Sequence, residues 1–228
     1  MKRLVSILGD SISTYEGFNP SGYAVFYDSE NQKLLGLQSV YDTWWAKVNQ
    51  YLQAYLCVDN AYSGSKVSGA NYPSASSIER TTMLHVDKYQ PDIILIYIGF
   101  NDFGNGVPIN YKIGCHNKAD YFYYSYEKML SRIKKNYPKA KIICGTLMKG
   151  FVKGRPDFTF PETYGGINFE LYNDAIRKAA KKEKVYLMDL ALKNYSYETL
   201  DGTHPTVVGH ATMASAWISC LQEQGFGS

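Results

Sequence analysis

Three residues near the two ends of the chain have side chains whose combination supports nucleophilic catalysis. Ser11 closes the stretch GDS, directly after a short apolar run, and Asp201 and His204 lie three residues apart near the other end. A serine hydroxyl is a weak nucleophile until a base removes its proton. Histidine is such a base near neutral pH when a carboxylate fixes its tautomer and supports its charge. We therefore predict Ser11 as the nucleophile, His204 as its general base and Asp201 as the carboxylate that orients His204.

Hydrogen-bond donors for a developing oxyanion are the second requirement of this chemistry. The candidates are the backbone N–H of Ser11, the backbone N–H of Gly64 and the side-chain amide of Asn101. A glycine lets a substrate approach the backbone closely, and an asparagine is a neutral donor that does not compete for the proton. Gly69 is the alternative to Gly64. We prefer Gly64 because it lies nearer the end of the predicted second strand.

Five short apolar segments predict the strands that position these residues. They are Leu4–Leu8, Leu56–Asn60, Ile93–Ile98, Lys141–Thr146 and Val185–Asp189. Helical patterns lie between them, in the stretches YDTWWAKVNQYLQA, SSIERTTMLHVDKY, DYFYYSYEKMLSRIKKNYP and NFELYNDAIRKAAKKEK, and a last one, TVVGHATMASAWISCLQEQG, closes the chain. Alternating strands and helices predict an α/β fold, with a parallel sheet covered by helices on both faces. No linker or repeat divides the chain, so residues 1–228 are predicted to form a single domain.

The ends of the predicted strands bring the candidate residues together. In sheets of this kind, ligands bind beyond the carboxyl ends of the strands. Ser11 follows the first strand, Gly64 the second and Asn101 the third, while Asp201 and His204 follow the fifth by way of a longer segment. This convergence favours a nucleophile at Ser11 over a serine that merely caps a helix. Asp10 and Asp102 are expected to hold loops by hydrogen bonds.

Several other kinds of site are excluded by the residues around these positions. The pattern G-x-S-x-G of the common α/β-hydrolases is absent around Ser11. Gly64 and Gly69 have the spacing of a phosphate-binding loop, but Ala70 and Asn71 replace its Lys and Ser/Thr. The remaining histidines, His85, His116 and His210, have no partners at metal-ligand spacing, and His210 is expected to be structural.

Composition and charge exclude further classes. The net charge of +3 and the absence of a basic-aromatic stripe argue against nucleic acid as a partner. No apolar run is long enough for a membrane helix, so the chain as given predicts a cytoplasmic protein, or a secreted one if a leader has been removed. The four cysteines are Cys57, Cys115, Cys144 and Cys220, and they have no CxxC spacing. We expect no zinc site from them, and expect Cys57 and Cys144 to be buried thiols.

Taken together, the separate sequence blocks resemble the SGNH (GDSL-type) hydrolases, a superfamily of lipases and esterases. The matching blocks are Gly9-Asp10-Ser11 near the start, Gly64 in NAYSGS, Gly99-x-Asn101-Asp102 midway and Asp201-x-x-His204 near the end. They follow the family's order and cover nearly the whole chain. Ile12 stands where the family name has Leu, a minor apolar exchange. The resemblance gives Ser11, Asp201 and His204 the roles of a catalytic triad, and gives Asn101 the role of an oxyanion donor.

The resemblance also implies a fold and a range of substrates. It implies a flavodoxin-like three-layer α/β/α sandwich with strand order 2-1-3-4-5, and activity without a metal or organic cofactor. Members of the family cleave acyl groups from lipids, thioesters, small esters and acetylated sugars. The alternatives left open are an O-acyltransferase, which needs the same residues, and a non-catalytic glycan-binding protein on the same scaffold, which would not need an intact triad.

Three long segments are expected to form walls around the site. They are Tyr15–Tyr41, Phe103–Asp120 and Met148–Gly166, and they are rich in Tyr, Phe, Gly and Asn. Aromatic faces mixed with polar groups suit sugar rings. We therefore expect a small-molecule or carbohydrate ester as substrate, with deacetylation of a carbohydrate as the first hypothesis. Trp44 and Trp45 are expected to pack the first predicted helix, and whether either borders the site is left open.

Overall fold

A parallel five-stranded sheet forms the centre of the fold. The computed structural model describes residues 3–110, 117–193 and 195–227. Within these residues the strands are β1 (Arg3–Gly9), β2 (Ala54–Ala61), β3 (Ile93–Tyr97), β4 (Lys141–Gly145), β5 (Lys149–Val152), β6 (Thr163–Tyr164), β7 (Ile167–Asn168), β8 (Tyr186–Met188) and β9 (Ser196–Thr199). The main sheet has the order β2-β1-β3-β4-β8, and its neighbouring strands are parallel.

Helices cover this sheet. They are α1 (Ser29–Leu35), α2 (Trp44–Tyr51), α3 (Ile78–Thr82), α4 (Phe100–Gly104), α5 (Phe122–Asn136), α6 (Phe169–Glu183) and α7 (Val207–Glu223). Helix α5 packs against α3 and α6, and α2 packs against α7. All five residues of β3 are buried, as expected for a central strand covered on both faces. In the described part of the chain, no helix is both long and apolar enough to cross a membrane.

The predicted α/β fold and strand order are confirmed, and the five predicted strands match β1, β2, β3, β4 and β8 to within two residues at each end. Four short strands went unpredicted: β5 pairs with β9, and β6 pairs with β7. Cys144 is buried as predicted, but Cys57 is partly exposed because β2 is an edge strand of the sheet. Cys115 and His116 lie outside the described residues.

The helix predicted before β3 is much shorter than its pattern indicated. It begins at the Ser77 cap and covers only Ile78–Thr82. Beyond it, side chains from other elements bind the backbone groups that a longer helix would use. Asn60 donates to the carbonyl of Met83 at 2.6 Å, and the N–H of Leu84 donates to the hydroxyl of Tyr137 at 2.9 Å. These tertiary hydrogen bonds outweigh the local helical preference of the segment.

The turn that carries Ser11 is fixed by buried side chains. It is a single 3-10 turn, Ser11–Ser13, directly after Asp10. The indole N–H of Trp44 donates to the Ser13 hydroxyl at 3.2 Å, and that of Trp45 donates to the Ser13 carbonyl at 2.9 Å. Both indoles are buried, and Trp44 is stacked on Trp217 of α7. The two tryptophans thus support the turn that carries Ser11 from the core, and they are too deeply buried to form a surface wall beside it.

Two buried carboxylates hold the loops at the carboxyl edge of the main sheet, where Ser11 lies. Asp10 accepts a hydrogen bond from the N–H of Ile12 at 3.1 Å, and Asp102 accepts from Val67 at 2.7 Å and from Ser68 at 3.0 Å. Asp102 therefore joins α4 to the loop after β2. Burial raises the pKa of Asp10 to about 6, against hydrogen bonds from backbone amides and attraction to His204, which lower it. Both acids act on loop geometry, as the sequence predicted.

The start of α7 is pressed closely against β9. The N–H of Thr206 donates to the carbonyl of Glu198 at 3.0 Å, and the Thr206 hydroxyl caps the helix by accepting from Gly209 at 3.2 Å. A Cβ added at Gly209 would overlap the Glu198 carbonyl oxygen and lie 2.9 Å from Cβ of Pro205. The absence of a side chain at Gly209 thus lets the start of α7 pack directly on the β9 backbone, which positions the loop between β9 and α7.

We expect Gly209→Ala to lower the free energy of unfolding by about 1–3 kcal/mol, since the added methyl group forces α7 away from β9. The measurement is urea unfolding of the variant beside the wild type. Gly104→Ala is the matched control, because its added Cβ meets no atom within 4 Å. The control should be neutral or slightly stabilising. Equal stability of the Gly209 variant and the wild type would show that this contact relaxes without cost.

We expect Asp10→Asn to remove a pH dependence of stability. The pKa of Asp10 is 3.8 in the unfolded chain and is raised to about 6 in the folded protein. Between these two pH values the folded protein therefore binds more protons than the unfolded chain. Wild-type stability therefore falls as pH rises through this window. The free energy of unfolding of the variant, relative to wild type, should rise by roughly 2.4 kcal/mol between pH 4 and pH 7. Urea unfolding at both pH values measures it, and a pH-independent difference would contradict it.

Candidate active site

Ser11, His204 and Asp201 form a continuous hydrogen-bonded chain at the carboxyl edge of the sheet. The Ser11 hydroxyl lies 2.9 Å from Nε2 of His204, and Nδ1 of His204 lies 2.6 Å from Oδ2 of Asp201. Ser11 is buried, and the His204 side chain is 18% exposed. One ring nitrogen thus faces the hydroxyl while the other faces the carboxylate. This arrangement can accept a proton from Ser11 and stabilise the imidazolium that results.

Asp201 is oriented by its own loop. Its Oδ1 accepts hydrogen bonds from the backbone N–H groups of Thr203 at 2.9 Å and His204 at 2.8 Å. Burial raises the pKa of Asp201, but the hydrogen bonds and the attraction to His204 outweigh it and hold the pKa at about 2. The group is therefore a carboxylate throughout the pH range in which a histidine base operates.

Two buried tyrosines hold the loop on either side of His204. The hydroxyl of Tyr197 donates to the carbonyl of Thr203, and that of Tyr27 donates to the carbonyl of Pro205, both at 2.9 Å. Phe26 stacks on the imidazole, with ring centroids 3.5 Å apart and planes 10° apart. The sequence placed Phe26 and Tyr27 in an aromatic-rich wall segment without singling them out. No local pattern marks which of many aromatics reaches His204.

His210 is structural, as predicted. It is buried in α7, and its Nδ1 accepts a hydrogen bond from the N–H of Trp44 at 3.2 Å. Burial lowers its pKa to about 3, so it stays neutral. Its role is to fix the start of α2 against α7.

The predicted oxyanion donors differ in their surroundings. Asn101 lies in the first turn of α4, and its amide donates one hydrogen bond to the carbonyl of Ser65 at 3.0 Å, which orients the amide. Gly64 has a positive φ of 79°, is exposed and has no atom within 4 Å of the position a Cβ would take. The Gly69 N–H is already bound to the carbonyl of Ala119 at 2.8 Å. This contrast favours Gly64 over Gly69 as a donor to a ligand.

An open cleft of about 420 Å³ begins at Ser11. Ser11, Asn101, Asp201 and His204 all line it, whereas Gly64 does not. Its aromatic wall consists of Phe100, Phe103, Phe158, Phe160 and Tyr164. Phe103 and the rings between residues 158 and 164 lie in two of the three wall segments that the sequence indicated, whereas Phe100 lies outside all three. The cleft is far larger than an acetyl group requires, so most of it is available to another part of a ligand.

Comparisons with known proteins identify a matching family and several similar structures. Residues 3–149 match the model of the family "GDSL-like Lipase/Acylhydrolase". A multidomain esterase from Ruminococcus flavefaciens is 23% identical over 227 residues, which is 96% of this chain but 24% of that protein. The chain thus spans about a quarter of the length of this relative.

Solved structures share the fold over nearly the whole chain. A structure from Bacteroides ovatus assigned to the GDSL-like lipases is 24% identical, with a TM-score of 0.74 over 98% of this chain and 99% of that one. One from Bacteroides uniformis, assigned likewise, is 25% identical, with a TM-score of 0.73 over 97% and 96%.

A family two carbohydrate esterase from Clostridium thermocellum, solved in complex with cellohexaose, is 20% identical. Its TM-score is 0.60, over 99% of this chain and 66% of that one. The order of the motifs, the sheet topology and the match over residues 3–149 lead to one conclusion: the chain belongs to the GDSL-like lipase/acylhydrolase family.

Proposed function

We propose that the protein is a serine esterase that cleaves small acyl esters through an acyl-enzyme. The observation that carries the proposal is the pair of hydrogen bonds at His204, to Ser11 at 2.9 Å and to Asp201 at 2.6 Å. This is the arrangement in which a serine is activated by a base that a carboxylate orients.

The first half of the reaction uses all three residues. Ser11 Oγ attacks the ester carbonyl while its proton passes to Nε2 of His204. Asp201 stabilises the imidazolium by accepting the hydrogen bond from Nδ1. The negative charge on the former carbonyl oxygen is held by the N–H groups of Ser11 and Gly64 and by the side-chain amide of Asn101. When the tetrahedral intermediate collapses, His204 gives its proton to the leaving alcohol, and the acyl group stays on Ser11.

The second half repeats these roles with water. His204 removes a proton from a water molecule, which attacks the acyl-enzyme carbonyl. The same donors stabilise the second oxyanion. Collapse of this intermediate releases the carboxylic acid and returns the proton to Ser11. If a sugar hydroxyl took the place of water, the same residues would transfer the acyl group, and product analysis separates the two reactions.

We propose an acetylated carbohydrate as the substrate class. The aromatic wall of the cleft offers flat apolar faces beside the amides of Asn101 and Asn105, a combination that suits sugar rings. The Clostridium thermocellum carbohydrate esterase that shares the fold supports this choice. The volume of the cleft fits a small acyl group with a larger alcohol part. A glycan-binding protein without turnover is disfavoured, because binding alone does not require the connected triad.

We expect the wild type to hydrolyse p-nitrophenyl acetate faster than the butyrate and octanoate esters. Ser11→Ala should reduce kcat by about 10,000-fold or more, since no nucleophile remains. Release of acetate from acetylated oligosaccharides then tests the substrate class. Equal rates for wild type and Ser11→Ala on every ester would contradict the esterase.

We expect Asn101→Ala to lower kcat about 100- to 1,000-fold with little change in KM, because the lost amide acts on charge that develops in the transition state. The measurement is steady-state hydrolysis of p-nitrophenyl acetate. Asn71→Ala is the control, because Asn71 is an exposed asparagine outside the cleft. Similar losses in the two variants would refute a specific role for Asn101 in the oxyanion hole.

A further inference from the structure

We propose that Phe26 is a positioning residue for the triad, whose ring fixes the plane of the His204 imidazole so that both ring nitrogens meet their partners. The inference rests on the proposed function, because His204 must act as the base for its position to affect a rate.

The contact is a face-to-face stack. The ring centroids of Phe26 and His204 lie 3.5 Å apart, and the planes differ by 10°. The χ2 torsion of histidine is broad, so the imidazole can tilt unless its surroundings prevent it. Both hydrogen bonds of His204 lie along directions in the ring plane, and a tilt weakens both of them. A flat ring against one face of the imidazole opposes that tilt.

Phe26 is connected to the nucleophile's turn, Ser11–Ser13, through the side chain of Thr14. Its N–H donates to the Thr14 hydroxyl at 2.9 Å, and the same hydroxyl donates to the carbonyl of Ser11 at 2.9 Å. Thr14 therefore bridges the backbones of Phe26 and Ser11. The ring that orients the base is thus fixed relative to the nucleophile itself.

Neighbouring residues extend this connection around the site. The carbonyl of Ala24 accepts a hydrogen bond from the N–H of Ser63 at 2.8 Å, next to Gly64. Tyr27 donates to the carbonyl of Pro205, next to His204. The segment 24–27 thus contacts the nucleophile's turn, the loop of the proposed oxyanion donor and the loop of the base. Phe26 is the member of this segment that touches the base directly.

The ring also suits the charge that appears during the reaction. When His204 accepts the proton, it becomes a cation against the face of Phe26, and aromatic faces attract cations at this distance. The charged neighbours are the Asp201 carboxylate and Asp10, whose buried carboxyl is attracted to His204. His210, the other titratable ring nearby, is neutral. The Phe26 side chain has no donor or acceptor that could compete for the transferred proton.

The test compares a variant that keeps a flat ring with one that loses it. Phe26→Leu should lower kcat for p-nitrophenyl acetate about 3- to 10-fold with KM nearly unchanged. Phe26→Tyr should restore most of the loss, because it retains the stacking face. Phe226→Leu is the matched control, since Phe226 is a buried ring that also makes an aromatic contact, but it packs on Tyr186 at the first residue of β8, at the end of the sheet opposite Ser11. It should leave kcat and KM close to wild type.

Three kinetic results would overturn the proposal. They are an unchanged kcat in Phe26→Leu, a loss that appears only in KM, and a Tyr variant as slow as the Leu variant. A loss in KM alone would make Phe26 part of the substrate wall. Circular dichroism of each variant shows whether it is folded, so a general loss of structure is recognised as such.

A measurement without substrate separates this proposal from the proposed function. Stacking places the His204 ring protons in the shielding region of Phe26, so their proton NMR resonances should lie upfield. They should move downfield in Phe26→Leu and stay upfield in Phe26→Tyr and Phe226→Leu. Loss of the resonances in His204→Asn assigns them. If the wild type cleaves no ester, the esterase proposal fails while these shifts still decide on the stack. If they do not respond to Phe26→Leu, the stack is refuted whatever the activity.

Discussion

The hydrogen bond between Ser11 and His204 joins residues 193 positions apart, and the rest of the fold serves to hold its two ends at 2.9 Å. A parallel sheet meets this requirement because every strand delivers its following loop to the same edge. Ser11 follows β1, an interior strand of the sheet, whereas His204 lies in the loop between β9 and the start of α7. The bond therefore depends on how closely α7 packs against the sheet and β9.

Buried polar side chains fix the conformation of the loops at this edge, and their burial has a desolvation cost. Asp10 and Asp102 lie fully inside the protein, where desolvation raises the pKa of each. In return, each accepts hydrogen bonds from backbone N–H groups that would otherwise be buried without partners. Burying the two acids thus lowers the stability of the fold, while their hydrogen bonds fix the conformation of the loops, as expected where a site must be held in one arrangement.

Aromatic side chains provide the second kind of support. Trp44 and Trp45 bind the turn after Ser11 from the core, while Tyr27 and Tyr197 bind the carbonyls on either side of His204. Each combines a large apolar body, which anchors it, with one polar atom that reaches the backbone. Of the 21 tyrosines in the chain, these two thus have a structural use next to the site, and Tyr164 lies in the wall of the cleft.

The sequence by itself determined the fold class, the strand order through the family resemblance, and the residues Ser11, Asn101, Asp201 and His204 that line one cleft. These follow from local information, because apolar runs mark strands and reactive residue types stand where strands end. Only the tertiary structure decided which aromatics support them, that Gly69 is bound elsewhere, and that the helix before β3 stops at Thr82. These features depend on contacts between distant segments, such as Phe26 on His204 and Asn60 on Met83, and no local pattern encodes such contacts. The short strands β5 and β9 were missed for the same reason, since each is defined by the other as partner.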